Sequence, residues 1–163
     1  MEMLRLGDSK GLERMVGERP SSVRFLQGRL WDTDPLIRGR AAAAIGAAAL
    51  SHPDLGLEIL RRALWALNDE SATNGSYMLP AIGEIGRRAP GLVVPFVGPM
   101  TGYLWDEGLR PGILRALCRI AEVAPDLVEE IRDRLPDIEG INDPGERADL
   151  EYLLSVNREG ANE

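Results

Sequence analysis

The sequence predicts an all-α protein built as a stack of helix pairs, and three observations in one register carry that prediction. Pro20, Pro53, Pro90 and Pro125 lie 33, 37 and 35 residues apart. The triplets Ala44-Ile45-Gly46, Ala81-Ile82-Gly83 and Ala116-Leu117-Cys118 align, each ending seven residues before one of the three inner prolines. Apolar residues recur at helical spacing along the chain, and no stretch alternates with period two for long enough to make a strand. Recurrence on this scale marks supersecondary units that stack to share a core.

In order, residues 9–18 read as a short amphipathic helix with Leu12, Met15 and Val16 on one side, within a capping segment 1–19. A first unit near 20–52 holds helices at 21–31 and 35–50, the second opened by Asp34 as N-cap and Pro35 at the first helical position. Its alanine-rich faces predict neighbours on more than one side. A second unit near 53–89 places helices at 54–68 and 71–89, where Pro80 should bend the helix or remove a backbone bond near Ser76. The third, near 90–124, has helices at 91–105, with Pro99 expected to kink or split it, and at 109–124. The fourth, near 125–156, has helices at 126–136 and 144–156, with Asp143-Pro144 repeating the start signal of Asp34-Pro35. The residues after the unit prolines, Ser21, Asp54, Gly91 and Asp126, suit helix N-caps, and Asp126 with Glu129 has capping-box spacing. The tail 157–163 has nothing to bury.

Composition narrows the function. At 163 residues the chain fits one domain with a continuous core, and 44% hydrophobic against 5% aromatic suits closely packed helices of Ala, Leu, Ile and Val. The net charge of −7 disfavours general binding to phosphate backbones, although a local arginine patch can still meet an anion. The lone Cys118 cannot form an internal disulfide and sits on an apolar stripe, which predicts a buried structural thiol. No long apolar leader or span is present, so the expected setting is cytoplasmic, without membrane attachment.

Several chemistries are set aside on residue counts. The single histidine, His52, leaves no His-rich zinc or iron site and would have to serve any Ser-His-Asp or Cys-His nucleophile from a helix-to-helix turn. Neither GxxxxGK[ST] nor GxGxxG occurs to cradle phosphates. No catalytic residue, metal or cofactor is expected.

The segment LWDTDPLIRGRAAAAIGAAAL at 30–50 resembles HEAT repeats, the phycobilisome-lyase-like bacterial type in particular, through its Leu, Asp, Asp-Pro, x-x-Arg, Ala-Ala, x-x-Gly pattern. NDES at 68–71 with LPAIGEI at 79–85 is similar to a signature of a small bacterial subgroup of such proteins. The resemblance covers about four units. It implies an armadillo-type α-solenoid, a right-handed superhelix of about four helix pairs plus the short N-terminal cap, whose second helices line a concave side.

Two constellations are candidates for recognition. The acidic turn Asn68, Asp69, Glu70 and Ser71, with Tyr77 and Glu84 farther along the helix, is richer in polar groups than capping requires. Its plainer reading is a cap with Glu84 paired to Arg88 at i,i+4. The arginines Arg38, Arg40, Arg87, Arg110, Arg115 and Arg119 climb successive second helices and could grip carboxylates of a partner. For Arg38 and Arg110 a ladder to Asp32, Asp69 or Asp106 is favoured; Arg115 and Arg119 are as consistent with partner contact as with plain solvation. Trp31, Trp65 and Trp105, near the ends of first helices, read as lids on the core, or, if exposed, as interface anchors. The leading expectation is a non-enzymatic scaffold binding a protein segment on the concave face. The alternative is a small-molecule site, tetrapyrrole-related by analogy, around Asp69, Glu70, Tyr77 and Glu84.

Overall fold

The computed structural model describes residues 1–68 and 73–156, and among them every regular element is helical. The order is α1 (Glu2–Leu6), α2 (Ser9–Glu18), α3 (Val23–Arg29), α4 (Pro35–Ser51), α5 (Pro53–Leu67), α6 (Thr73–Arg88), α7 (Pro90–Thr101), α8 (Arg110–Ala121), α9 (Pro125–Glu129) and α10 (Pro144–Ser155). Short 3-10 turns occupy Pro20–Ser22, Arg132–Arg134 and Ile138–Gly140. None of the described helices is long and apolar enough to cross a membrane.

The repeat is written in the backbone at the proline junctions. Arg19, His52, Ala89 and Ala124 precede the four prolines with φ between −139° and −134° and ψ between 66° and 78°. Clash with the proline ring keeps a preceding residue out of the helical region, so the earlier helix stops there. Each of these residues closes that helix with its own N–H: Arg19 to Met15 O at 2.8 Å, His52 to Ala48 O at 2.8 Å, Ala89 to Ile85 O at 2.7 Å and Ala124 to Ile120 O at 2.9 Å. Proline then begins the next helix, where a missing N–H removes no bond.

This geometry corrects the expected caps. Ser21, Asp54, Gly91 and Asp126 follow the first helical residue instead of preceding it, and no side chain caps these four starts. The Asp126 and Glu129 capping box therefore does not form. The two Asp-Pro starts hold as expected: Asp34 accepts from Leu36 N at 2.8 Å and Asp143 from Glu146 N at 2.9 Å.

Helices α2, α4, α6, α8 and α10 pack successively into a row, with α3, α5, α7 and α9 lying against its members. Within the row, Leu79 lies against Gly112 and Gly83 against Ala116, so α6 and α8 run parallel. Helix α4 is enclosed widely, with Ala41, Ala42, Ala44, Ala47, Ala48 and Ala49 all buried, as its alanine-rich faces predict. The aligned triplet position sets the seams. A Cβ on Gly46 would stand 2.7 Å from Glu84 O, and one on Gly83 would stand 3.1 Å from Ala116 Cα. Only a residue without a side chain lets these backbones approach so closely.

Other expectations shift at their ends. Helix α6 runs through Pro80, which lies on an exposed face. Helix α7 accommodates Pro95 and Pro99 but ends at Thr101, short of 105; past Pro99 the chain tightens into three-residue turns, Gly102 N to Pro99 O at 3.1 Å and Leu104 N to Thr101 O at 3.2 Å. The expected helix at 126–136 splits into α9 and a 3-10 turn. Ile131 leaves helical geometry at φ −112°, ψ 8°, and Leu135, ahead of Pro136, is extended. Val123, just past the end of α8, is exposed. Helix α1 was not expected; Gly7 at φ 73° ends it, and Arg40 of α4 turns to it, Nη1 donating to Leu4 O at 2.7 Å and Arg5 O at 2.8 Å.

Candidate functional site: a groove across the helix row

A groove of about 900 Å³ crosses α4, α6, α8 and α10. Its apolar lining is small: Gly39, Ala42 and Ala43 from α4, Pro80 and Gly83 from α6, and Ala116 from α8. The same short residues that permit close helix packing leave space above the seams. Into that space project Arg38, Glu84, Arg87, Arg115, Arg119, Glu122, Asp149 and Tyr152.

Glu84 is the centre of the polar arrangement. Its side chain is 8% exposed, and its backbone lies against Gly46. Arg87 donates to Glu84 Oε2 twice, from Nε at 3.1 Å and Nη2 at 2.9 Å. Arg119 reaches from α8 to Glu84 Oε1 at 3.2 Å, and its Nη1 donates to Glu122 at 3.1 Å. Burying a carboxylate is costly unless it is paired and hydrogen-bonded in this way. The hydrogen bond to Glu122 foremost, then the charges of Glu84 and Glu122, push the Arg119 pKa up against the opposing effect of burial, so this guanidinium stays charged.

The α8 to α10 seam is built differently. Arg115 Nε donates to Asp149 Oδ2 at 2.9 Å, and Arg110 Nε to Glu146 Oε2 at 2.7 Å. Cys118 occupies the position held by Gly46 and Gly83 in the other units, and its Sγ donates to Asp149 O at 3.5 Å. Burial, with the Asp149 charge second, pushes the Cys118 thiol up to about 12. A thiol that holds its proton this firmly is a poor nucleophile near neutral pH. Among the described residues no group of three or more His, Cys, Asp or Glu side chains is placed to hold a metal ion.

The predicted site residues thus divide. Glu84, Arg87, Arg115 and Arg119 come together in the groove. Asn68 lies elsewhere, exposed at the end of α5, where it accepts from Tyr103 Oη at 3.2 Å. Tyr77 stacks on Trp31 with ring centroids 4.0 Å apart. Asp69, Glu70 and Ser71 lie outside the described residues. The i,i+4 pair of Glu84 with Arg88 is not formed: Arg88 donates to Glu13 at 2.6 Å instead, because Glu84 is turned toward Arg87 and α8. Arg38 meets backbone, the carbonyls of Asp32 at 2.7 Å and Thr33 at 3.2 Å, not a carboxylate. Arg110 meets Glu146 of the next unit rather than Asp106, whose carboxylate instead accepts from Gly108 N and Leu109 N.

The tryptophans are not lids: Trp65 is 77% exposed, Trp105 76% and Trp31 46%. None of the predicted site residues lies in α10, yet Asp149 and Tyr152 of that helix complete the groove; α10 continues the row of second helices placed on the concave side, and that continuity was the signal that could have found them. The chain matches no protein-family model, no curated protein and no solved structure.

Proposed function

We propose that the protein is an interaction module of HEAT-repeat type, an α-solenoid whose second helices present a preformed surface to a segment of another protein. The groove is the observation that carries this reading. It crosses four successive members of the helix row and combines a floor of glycine, alanine and proline with charged rims. Its carboxylates and guanidiniums are already held by one another, and Arg38 by backbone carbonyls, so docking would cost little reordering of those side chains. The resemblance of residues 30–50 to HEAT repeats and the recurrence of the proline junctions support the solenoid.

The small-molecule alternative has less support. Of its residues within reach of description, Tyr77 is engaged by Trp31 and Glu84 by two arginines, and no observation gathers them around an enclosed cavity.

A photo-crosslinking residue placed at Gly39 or at Tyr152, both in the groove, tests the reading against one placed at Glu58 on the exposed side of α5. The expected result in native cells is one discrete polypeptide adduct from both groove positions and none from Glu58. Equal labelling from all three positions, or none from the groove, overturns it.

A further inference from the structure

Counted as charges, the groove is nearly balanced, with Arg38, Arg87, Arg115 and Arg119 against Glu84, Glu122 and Asp149. Counted by exposure it is not. The Glu84 and Asp149 side chains are 8% and 17% exposed, whereas Arg119 and Arg115 are 45% and 67% exposed. Glu84 and Asp149 lie beneath, and of the groove's carboxylates only Glu122, 40% exposed and paired with Arg119, reaches the surface, so an arriving ligand meets mainly the guanidiniums of Arg115 and Arg119 on a chain whose net charge is −7.

The arginines also retain unused donors. Arg115 spends Nε on Asp149, and among the described residues its terminal nitrogens Nη1 and Nη2 donate no hydrogen bond. That pair is the end of the guanidinium fork that takes a carboxylate in two parallel hydrogen bonds. Asp149 holds the fork in place from behind. Arg87 likewise keeps Nη1, its other nitrogens being spent on Glu84. Coulomb attraction to these groups is strongest where the floor excludes water, and the floor here is apolar and too shallow in side chains to fill the groove itself.

We infer that the groove takes an acidic segment of a partner protein, one Asp or Glu carboxylate gripped by the terminal nitrogens of Arg115 and a second lying over Arg87 and Arg119, with short side chains against Ala42, Ala43 and Ala116. This rests on the docking reading above and adds the partner's chemistry. A short acidic peptide is favoured over a polyphosphate because its charge is local. An extended nucleic acid or an anionic membrane would also meet the repulsion of a chain whose net charge is −7.

The test is selection of random eight-residue peptides displayed against the full chain, followed by affinity measurement on the wild type, Arg115→Gln and Arg115→Lys. Selected sequences are expected to be rich in Asp and Glu. Arg115→Gln is expected to weaken them about 10- to 100-fold, the usual worth of hydrogen bonds to a charged group, with Arg115→Lys in between. Replacing their acids by Asn and Gln should have a similar effect. Thermal unfolding should show both variants folded, with at most a small drop in midpoint, since the Arg115 side chain is largely exposed and such a pair contributes little. Binders that depend on the groove but carry no acids overturn the acidic partner and leave docking standing. Binders indifferent to Arg115, or none, overturn both. A thymidine oligonucleotide or phosphatidylglycerol vesicles binding more tightly than the best peptide, and released by Arg115→Gln, overturns the choice of peptide.

Discussion

The seams between α4 and α6 and between α8 and α10 occupy equivalent places in the repeat and are held by different physics. At the first, Gly46 brings two backbones together, and among the described residues no ion pair joins the two helices. At the last, Cys118 stands in the glycine's place and two ion pairs, Arg110 with Glu146 and Arg115 with Asp149, span the helices. One seam depends on the absence of a side chain, the other on paired charges. The groove is shaped by both: glycine and alanine keep its floor low, and the ion pairs at its far end orient the arginines that face outward.

Breaking the charged seam should have the largest effect. Glu146→Ala leaves the mostly buried Arg110 without its carboxylate, and loss of one partner of a buried pair costs about 3 to 5 kcal/mol. Chemical denaturation should show this in the midpoint, and Arg110→Met together with Glu146→Leu should recover much of it. If Glu146→Ala is silent, the seam does not depend on charge. The packed seam is probed by Gly46→Leu, whose side chain would drive into the Glu84 backbone. The cost expected for overpacking is about 2 to 3 kcal/mol. A smaller loss than for an exposed Gly39→Leu control would mean that close approach is not what stabilises it.

The smallest effect separates Cys118 from its glycine counterparts. Cys118→Ala should cost about 1 kcal/mol at neutral pH, as a small deletion from a packed site. The folded thiol holds its proton above the ordinary value, from 9.0 to about 12. Above pH 9 the unfolded chain therefore gives up this proton first, and wild-type stability falls relative to Cys118→Ala as pH rises toward 12. Thiol labelling of the native protein at pH 8 should be slow and should quicken on unfolding. Rapid native labelling would show a thiol that is neither buried nor inert.

The period of the chain was legible because proline and helical spacing act locally. The Pro spacing fixed where helices end, since the ring constrains the residue before it whatever the tertiary context. Whether proline itself or the following residue begins a helix was not legible, because Asp126 and Glu129 satisfy a capping pattern that the pre-proline backbone then overrides. The partners of Glu84 were illegible for a different reason. Arg87, Arg88 and Arg119 all lie within plausible reach in sequence or in the repeat, and only the rotation of α6 against α8 decides among them. The exposed tryptophans ran against the burial preference of their residue type, and no local signal marked them.

The four proline junctions share one set of torsion angles and one closing hydrogen bond. A chain cut before Pro53 and rejoined before Pro90 would therefore meet the same stereochemistry at the splice that it left. Such an architecture changes length in whole modules, and each module removed would narrow the groove by one helix without altering how the survivors turn from one to the next.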